Sequence, residues 1–202
     1  QSGRDADVLF YIVDRTGEPM PSKGVPLDKR GYGWDFKELM DPKDDVFVKL
    51  DAPRTWRLVR ALAEHPDSSL QRIFVVEHVR ALLLQEARRT HTPRRLIERA
   101  GDLMCQPAVA HDDHFHFRFF CAPDDIAKGC QDTSPMYPWR RTLLKTAGLS
   151  PVMATYRKRP SHTVSRAQAR QAAGPMHRKV LAFLVLQDRW SHKPSPGRRW
   201  CP

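Results

Sequence analysis

Residues 110–121 read AHDDHFHFRFFC, and this stretch decides how the rest of the chain is interpreted. Aromatic residues alternate with polar ones, which is typical of a strand, and we expect that strand to span Phe115–Cys121. Side chains two residues apart share one face of a strand, so His114 and His116 point the same way. His111 precedes the strand and can fold back towards them. The pattern therefore predicts three imidazoles at one end of a strand.

Three converging imidazoles indicate a transition-metal site, because neutral imidazole is a good ligand for zinc. A hydrolytic zinc site takes three protein ligands and leaves one position open for water, so a His-x-His pair alone does not complete it. The obvious oxygen donor is Asp7, near the start of an apolar segment that predicts a buried strand over Ala6–Val13. An unpaired carboxylate there would be costly. Two alternatives stay open: the histidines are only a polar strand edge, or Asp7 caps a turn or pairs with an arginine.

The remaining pattern predicts an α+β fold, with a small antiparallel sheet flanked by helices and a zinc cleft on the sheet. Short runs of β-branched and aromatic residues predict further strands at Phe47–Asp51 and Leu70–Val76. Apolar residues at helical spacing predict helices, namely Pro53–Glu64, Val79–Arg89, Pro93–Leu103, Trp139–Ala147 and Met176–Gln187. No stretch approaches the roughly 18 consecutive apolar residues typical of a membrane helix.

Positive charge is concentrated towards the C-terminal end of the chain. The net charge is +11, and residues 139–202 hold 14 Lys and Arg against one acid, a net of +13. Residues 1–138 hold 20 basic residues against 22 acids, a net of −2. We predict a core at residues 1–133 and a basic C-terminal extension at residues 134–202, which begins with a Pro-containing linker. Such an extension attracts a polyanion at long range.

The cysteines and the start of the chain bear on the compartment. Cys105, Cys121, Cys130 and Cys201 would be four free thiols in a cytosolic chain and would be paired in an exported one. Cys121 and Cys130 lie nine residues apart, which suits a local bridge, and Cys201 needs a bond to an upstream cysteine if the end of the chain is to be held in place.

The chain opens at Gln1 without an initiator Met and runs directly into a strand-like segment. We therefore expect it to be cut from a longer precursor, so the missing signal peptide is uninformative.

The segment Gly3–Asp7 with its apolar strand, and the later His111-x-x-His114-x-His116, resemble the penicillin-insensitive murein endopeptidases. These belong to a wider group with the lysostaphin-type and D-alanyl-D-alanine metallopeptidases and the hedgehog signalling domain. Both motifs together are fairly specific, whereas either alone is weak. The resemblance spans roughly Gln1–Cys130.

The resemblance implies that Asp7 and His116 are zinc ligands, that His114 is a catalytic histidine beside the metal, and that His111 assists it. In the family motif His-x-x-Gly-x-x-x-Asp, the first ligand histidine lies three residues before the glycine, which is the position preceding Gln1. Without that histidine, the two remaining ligands would hold zinc poorly unless another histidine is recruited.

The implied reaction is hydrolysis of the cross-link between D-alanine and meso-diaminopimelate in peptidoglycan by a periplasmic or secreted zinc peptidase. Zinc (Zn2+) would lower the pKa of its water to about 7 and polarise the scissile carbonyl. His114 would take the water proton or stabilise the oxyanion. The alternative is a catalytically inactive, metallopeptidase-like protein that binds cell wall or another polyanion. No nucleic-acid motif is recognised, so we expect the basic extension on the anionic cell-wall surface.

Two further side chains are candidates for substrate binding. Arg118 shares a face with His116 and can pair with Asp7 or with a substrate carboxylate. Trp34 belongs to a predicted loop, Asp14–Trp34, and can stack on a sugar ring or pack on the domain.

Overall fold

The computed structural model describes residues 4–38, 40–65, 68–107, 109–155, 164–191 and 200–201. The chain forms two compact units, of which the first joins Gln1–Ala122 with Trp190–Pro202 and the second is Pro123–Arg189. The predicted boundary between residues 133 and 134 falls inside the second unit, and the functional division at that point stays a prediction.

The described residues contain eight strands and seven helices, which confirms the α+β class. The strands are β1 Asp5–Leu9, β2 Ile12–Val13, β3 Pro19–Met20, β4 Tyr32–Asp35, β5 Val46–Leu50, β6 Leu70–Phe74, β7 Met104–Cys105 and β8 His114–Phe119. The helices are α1 Ala52–Glu64, α2 Glu77–Arg89, α3 Arg94–Leu103, α4 Pro123–Ile126, α5 Pro138–Thr146, α6 Arg166–Ala173 and α7 Arg178–Ser191. None of these helices is long and apolar enough to cross a membrane.

The strands form two small sheets, so the prediction of a single antiparallel sheet was wrong. The first, here called the histidine sheet, has the order β1-β8-β6-β7, and the second has the order β3-β2-β5-β4. The second sheet is antiparallel throughout. In the histidine sheet, β6 pairs antiparallel with β8 but parallel with β7. The parallel pair forms because α2 and α3 lie between β6 and β7 in the chain and form the crossover that parallel strands need.

The segment predicted as one buried strand, Ala6–Val13, is divided between the two sheets. β1 lies at the edge of the histidine sheet and is partly exposed, whereas β2 belongs to the second sheet. Phe10 lies at the break, where it is buried and contacts Phe115 edge-on with ring centroids 4.9 Å apart. The buried aromatic side chain anchors the change of sheet, because burying a Phe contributes roughly 1.5–3 kcal/mol.

α2 and α3 pack on the histidine sheet, and α1 packs on these two helices. α1 begins at Asp51, whose carboxylate accepts a hydrogen bond from the Arg54 backbone N–H at 3.0 Å. Trp56 of α1 is buried, and its indole N–H donates to the Thr92 hydroxyl at 3.2 Å. α1 contacts α2 and α3, and α3 contacts β6 and β7. The predicted helices of this region are confirmed, with ends that differ by at most two residues.

All four cysteines are disulfide-bonded, as expected for an exported chain. Cys105 at the end of β7 is bonded to Cys201, 96 residues later. The Cys201 backbone N–H also donates to the carbonyl of Gln106 at 2.9 Å, so the end of the chain is tethered as predicted. Cys121 and Cys130 are disulfide-bonded as well, and none of the four cysteines is free.

The second unit has its own buried centre. Asp132 and Arg140 are both fully buried and form an ion pair with a Nη2–Oδ2 distance of 3.2 Å. α5 and α7 confirm the two helices predicted for the C-terminal region. Within the predicted basic extension, residues 156–163, 192–199 and 202 lie outside the described residues.

Candidate active site

β8 separates two kinds of side chain. Phe115 and Phe117 are buried in the core, whereas His114, His116 and Arg118 lie on the opposite face. This alternation confirms that the two histidines of the strand point the same way. The apolar side fixes the strand against the core, so the polar side is held on a rigid support.

The neighbouring edge strand adds two carboxylates to this face. β1 pairs antiparallel with β8, and the register places Asp5 opposite Arg118 and Asp7 opposite His116. Residues directly opposite each other in an antiparallel pair point to the same side of the sheet. We call the surface formed by these four residues and His114 the site face.

The loop before β8 brings the third histidine to the site face. The ring centroid of His111 lies 5.0 Å from that of His114 and 5.6 Å from that of His116. The backbone holds the loop in place, because the Val76 N–H donates to the His111 carbonyl at 2.9 Å. The predicted convergence of three imidazoles is therefore present.

Asp7 faces the histidines. Its Oδ1 lies 2.9 Å from His116 Nδ1 and 3.8 Å from His114 Nε2, and its side chain is 58% exposed. The cost of burial that the sequence suggested does not arise, because β1 is an edge strand. The expectation that Arg118 pairs with Asp7 was wrong: the register places Arg118 opposite Asp5, two residues earlier.

Asp5 is the carboxylate that the sequence analysis missed. Its side chain is only 6% exposed, and its two oxygens accept hydrogen bonds from Arg118 Nε at 2.7 Å and Nη2 at 3.3 Å. Its Oδ1 also lies 3.3 Å from His116 Nε2. Burial raises the pKa of Asp5, but Arg118 and then His116 outweigh burial and hold the pKa below its ordinary value of 3.8. The sequence shows an Asp-x-Asp segment and a His-x-Arg segment, but not that the two lie opposite each other.

Asp113 is a second carboxylate that sequence reasoning did not single out. Its Oδ1 lies 2.5 Å from His114 Nδ1. An ionised carboxylate favours the proton on that nitrogen, which leaves Nε2 of His114 with a lone pair in the neutral ring. Nε2 is the nitrogen nearer Asp7.

The pKa of the His111 imidazole is lowered by its surroundings. Burial is the largest cause lowering its pKa from the ordinary 6.5; the Val109 backbone contact opposes it, and the neighbouring histidines lower it further. Its Nδ1 lies 3.0 Å from the Val109 carbonyl oxygen, which can only accept a hydrogen bond. Nδ1 therefore carries the proton, and Nε2 is the acceptor.

Phe74 of the adjacent strand β6 forms an aromatic wall of the site. Its ring meets His116 edge-on at 5.2 Å between centroids, and the guanidinium carbon of Arg118 lies 5.0 Å from its centre. The guanidinium is thus held between an aromatic ring and the Asp5 carboxylate.

Trp34, the second candidate for substrate binding, lies in the sheet with the order β3-β2-β5-β4. Trp34 is on β4 and is 41% exposed, so its assignment to a loop was wrong. It lies opposite Phe47 in the register and contacts that ring edge-on at 5.5 Å. The Arg15 guanidinium lies 5.2 Å from the centre of the Trp34 ring. The short strand escaped prediction because its Gly and Trp do not form an alternating apolar pattern.

The donors on the site face fit zinc in kind and in spacing. Imidazole nitrogen and carboxylate oxygen are both zinc ligands, and two donors on one tetrahedral zinc lie about 3.3 Å apart. Asp7 Oδ1 and His116 Nδ1, at 2.9 Å, need to separate only slightly to admit an ion. In the part of the chain that the structure describes, however, no group of three or more His, Cys, Asp or Glu side chains is arranged to hold a metal ion. The described residues thus supply two well-placed donors.

Comparison with protein families gives one match. A family model described as penicillin-insensitive murein endopeptidase matches residues 1–145. The match includes both sequence motifs and continues past Cys130, where the resemblance was expected to end, through most of α5. No curated protein and no solved structure was found to match the chain significantly.

Proposed function

The chain belongs to the penicillin-insensitive murein endopeptidase family, and from this we propose that it is a zinc-dependent enzyme that cuts D-alanyl-meso-diaminopimelate cross-links of peptidoglycan. The observation that carries the proposal is the site face, where Asp7 Oδ1 and His116 Nδ1 lie 2.9 Å apart beside two further histidines.

In this proposal Asp7 and His116 hold the zinc ion. The register of the family motif puts the third ligand, a histidine, at the position before Gln1. Zinc, when bound, supplies a water activated near neutral pH and polarises the scissile carbonyl. The rigid sheet contributes orientation, because donors on paired strands keep their spacing when a ligand binds.

His114 is proposed as the general base. Asp113 at 2.5 Å fixes the proton on Nδ1 and leaves Nε2 to accept a proton beside Asp7. Once protonated, the ring donates a hydrogen bond and can stabilise negative charge on the substrate oxygen or return the proton to the departing amine. Each of these steps uses the same nitrogen.

His111 is proposed as the helper. Because its Nδ1–H donates to the Val109 carbonyl, its Nε2 accepts a hydrogen bond from the substrate. A neutral ring next to His114 also avoids repulsion when His114 becomes protonated, so the lowered pKa of His111 suits this role.

The surroundings of the site suit a polymeric substrate in an oxidising compartment. Asp7 lies on an edge strand and is largely exposed, which leaves room for a cross-linked peptide. Paired cysteines are typical of proteins outside the cytosol, so we propose a periplasmic or secreted location. The basic C-terminal region is proposed to lie against the anionic cell wall.

Cleavage of purified cross-linked muropeptides tests this function. The protein, carrying the histidine of the family motif directly before Gln1, should convert muropeptide dimers to monomers, EDTA should stop it, and added zinc should restore it. His116→Ala should abolish cleavage. Cleavage that survives both chelation and the loss of His116 would contradict the zinc mechanism. Binding to sacculi without any cleavage would favour the inactive binding protein.

A further inference from the structure

Asp5 contacts two side chains of the site face, Arg118 and His116. A carboxylate with 6% of its side chain exposed needs partners, and Arg118 provides two hydrogen bonds to its two oxygens. These two hydrogen bonds would be sufficient if the ion pair had a structural role only. The third neighbour, His116 Nε2 at 3.3 Å, calls for another explanation.

His116 has one nitrogen towards each carboxylate. Nδ1 faces Asp7 at 2.9 Å and Nε2 faces Asp5 at 3.3 Å. Nε2 is buried and has no well-aligned hydrogen-bond partner among the described residues, so the Asp5 oxygen is the acceptor within reach. The edge-on contact with Phe74 restricts rotation of the ring between the two carboxylates.

A neutral imidazole carries a single proton, and only the other nitrogen can bind a metal ion. If His116 binds zinc together with Asp7, its Nδ1 must be the ligand atom, and the proton must be on Nε2. The buried Asp5 carboxylate is placed to accept that proton's hydrogen bond. An acceptor behind a ligand histidine fixes its tautomer and its ring orientation.

We infer that Asp5 is a positioning residue for His116: it accepts the Nε2–H hydrogen bond, turns Nδ1 towards the metal position, and is itself held by Arg118. This inference rests on the proposed zinc site. It gives Arg118 a supporting role in place of the substrate contact that the sequence suggested.

Zinc affinity of Asp5→Asn, measured by competition with a chelator, tests the inference. Asn keeps the size of the side chain but loses its charge and one of its two acceptor oxygens, and weakening such a partner typically lowers metal affinity about 10- to 100-fold. Glu86→Gln is the matched control, because Glu86 is also a buried carboxylate in a two-bond pair with an arginine, Arg89, but lies on α2. The control should lose stability and keep zinc affinity within twofold.

A second measurement follows the Nε2 proton of His116 directly. In the zinc-loaded protein, NMR should show a slowly exchanging Nε2–H on His116, and Asp5→Asn should speed its exchange. If Asp5→Asn proves unfolded, Arg118→Lys replaces it, since Lys keeps a charge beside Asp5 but lacks the planar fork of donors that matches the two carboxylate oxygens. We expect a drop of several-fold in zinc affinity.

The outcomes separate the inference from the proposed function. Normal zinc binding by the wild type with an Asp5→Asn affinity within twofold of it overturns the inference and leaves the zinc site intact. A wild type that binds no zinc overturns both. Weaker binding in Asp5→Asn, with Glu86→Gln unchanged and faster Nε2–H exchange, supports the inference.

Discussion

Two Asp–Arg ion pairs in this protein differ in their exposure to solvent and in their neighbours. Asp132 and Arg140, in the second unit, are completely closed to solvent, with both side chains at 0% exposure. Asp5 and Arg118 lie at the base of an open face, and the carboxylate also lies 3.3 Å from a nitrogen of His116. The closed pair can affect folding only, whereas the pair on the site face can also affect chemistry. The effect of an ion pair on folding or on chemistry therefore depends more on the solvent and residues around it than on the distance between its charged atoms.

The largest effect should come from the site face and leave stability nearly untouched. His114→Ala removes the proposed general base, so kcat should fall between about 100- and 10,000-fold. His114 is only half-buried, and its loss leaves the core side of β8 in place. Steady-state cleavage of muropeptide dimers together with thermal unfolding measures both. Full activity in the variant would remove His114 from the mechanism.

The next effect should appear in folding only. Arg140→Met leaves the Asp132 carboxylate buried opposite an apolar side chain, which should cost about 3–5 kcal/mol in the free energy of unfolding. Denaturant unfolding measures the cost. Zinc affinity of the folded variant should equal that of the wild type. A loss below about 1 kcal/mol would show that the closed pair contributes little.

A smaller and pH-dependent loss of stability is expected for Asp5→Asn. Asn keeps one acceptor oxygen, so the variant loses about one charged hydrogen bond, which contributes about 1.5–3 kcal/mol. The folded pKa of Asp5 is lower than its ordinary 3.8. Its contribution is therefore fully present above pH 3.8 and is lost as the pH falls through the folded pKa. Unfolding measured at pH 6 and near pH 3 should show the variant's deficit shrink in acid. A deficit that grows in acid would contradict the assignment.

The smallest effect concerns the basic region. Arg141→Gln with Lys145→Gln removes two exposed charges from α5, and sacculus binding should weaken at low salt by about 1 kcal/mol or less. The difference should vanish at high salt because the charges are screened. Arg95→Gln with Arg99→Gln on α3 is the matched control, and it should bind as the wild type does. Equal weakening by both pairs would mean that only net charge matters.

The parts of the fold that carry a strong local period could be predicted from the sequence. The helices α1, α2 and α3 show apolar residues at helical spacing, and β8 alternates between aromatic and polar side chains. The shared direction of the two histidines on β8 follows from that alternation alone.

Features that depend on pairing between distant segments could not be predicted. β2 and β3 are two residues long, which is too short to show a period. The pairing of Asp5 with Arg118 depends on the register of two strands more than a hundred residues apart, and a shift of one residue would have moved every side chain to the other face. The site's histidines were therefore visible in the sequence, while the carboxylate behind them was not.

Metal content tests the central claim most directly. The protein, carrying the histidine of the family motif directly before Gln1, is exposed to zinc, dialysed and assayed for metal by elemental analysis, in parallel with His116→Ala. The zinc peptidase account predicts one zinc ion per wild-type chain and almost none in the variant. Equal zinc content in the two proteins, or none in the wild type, would contradict it.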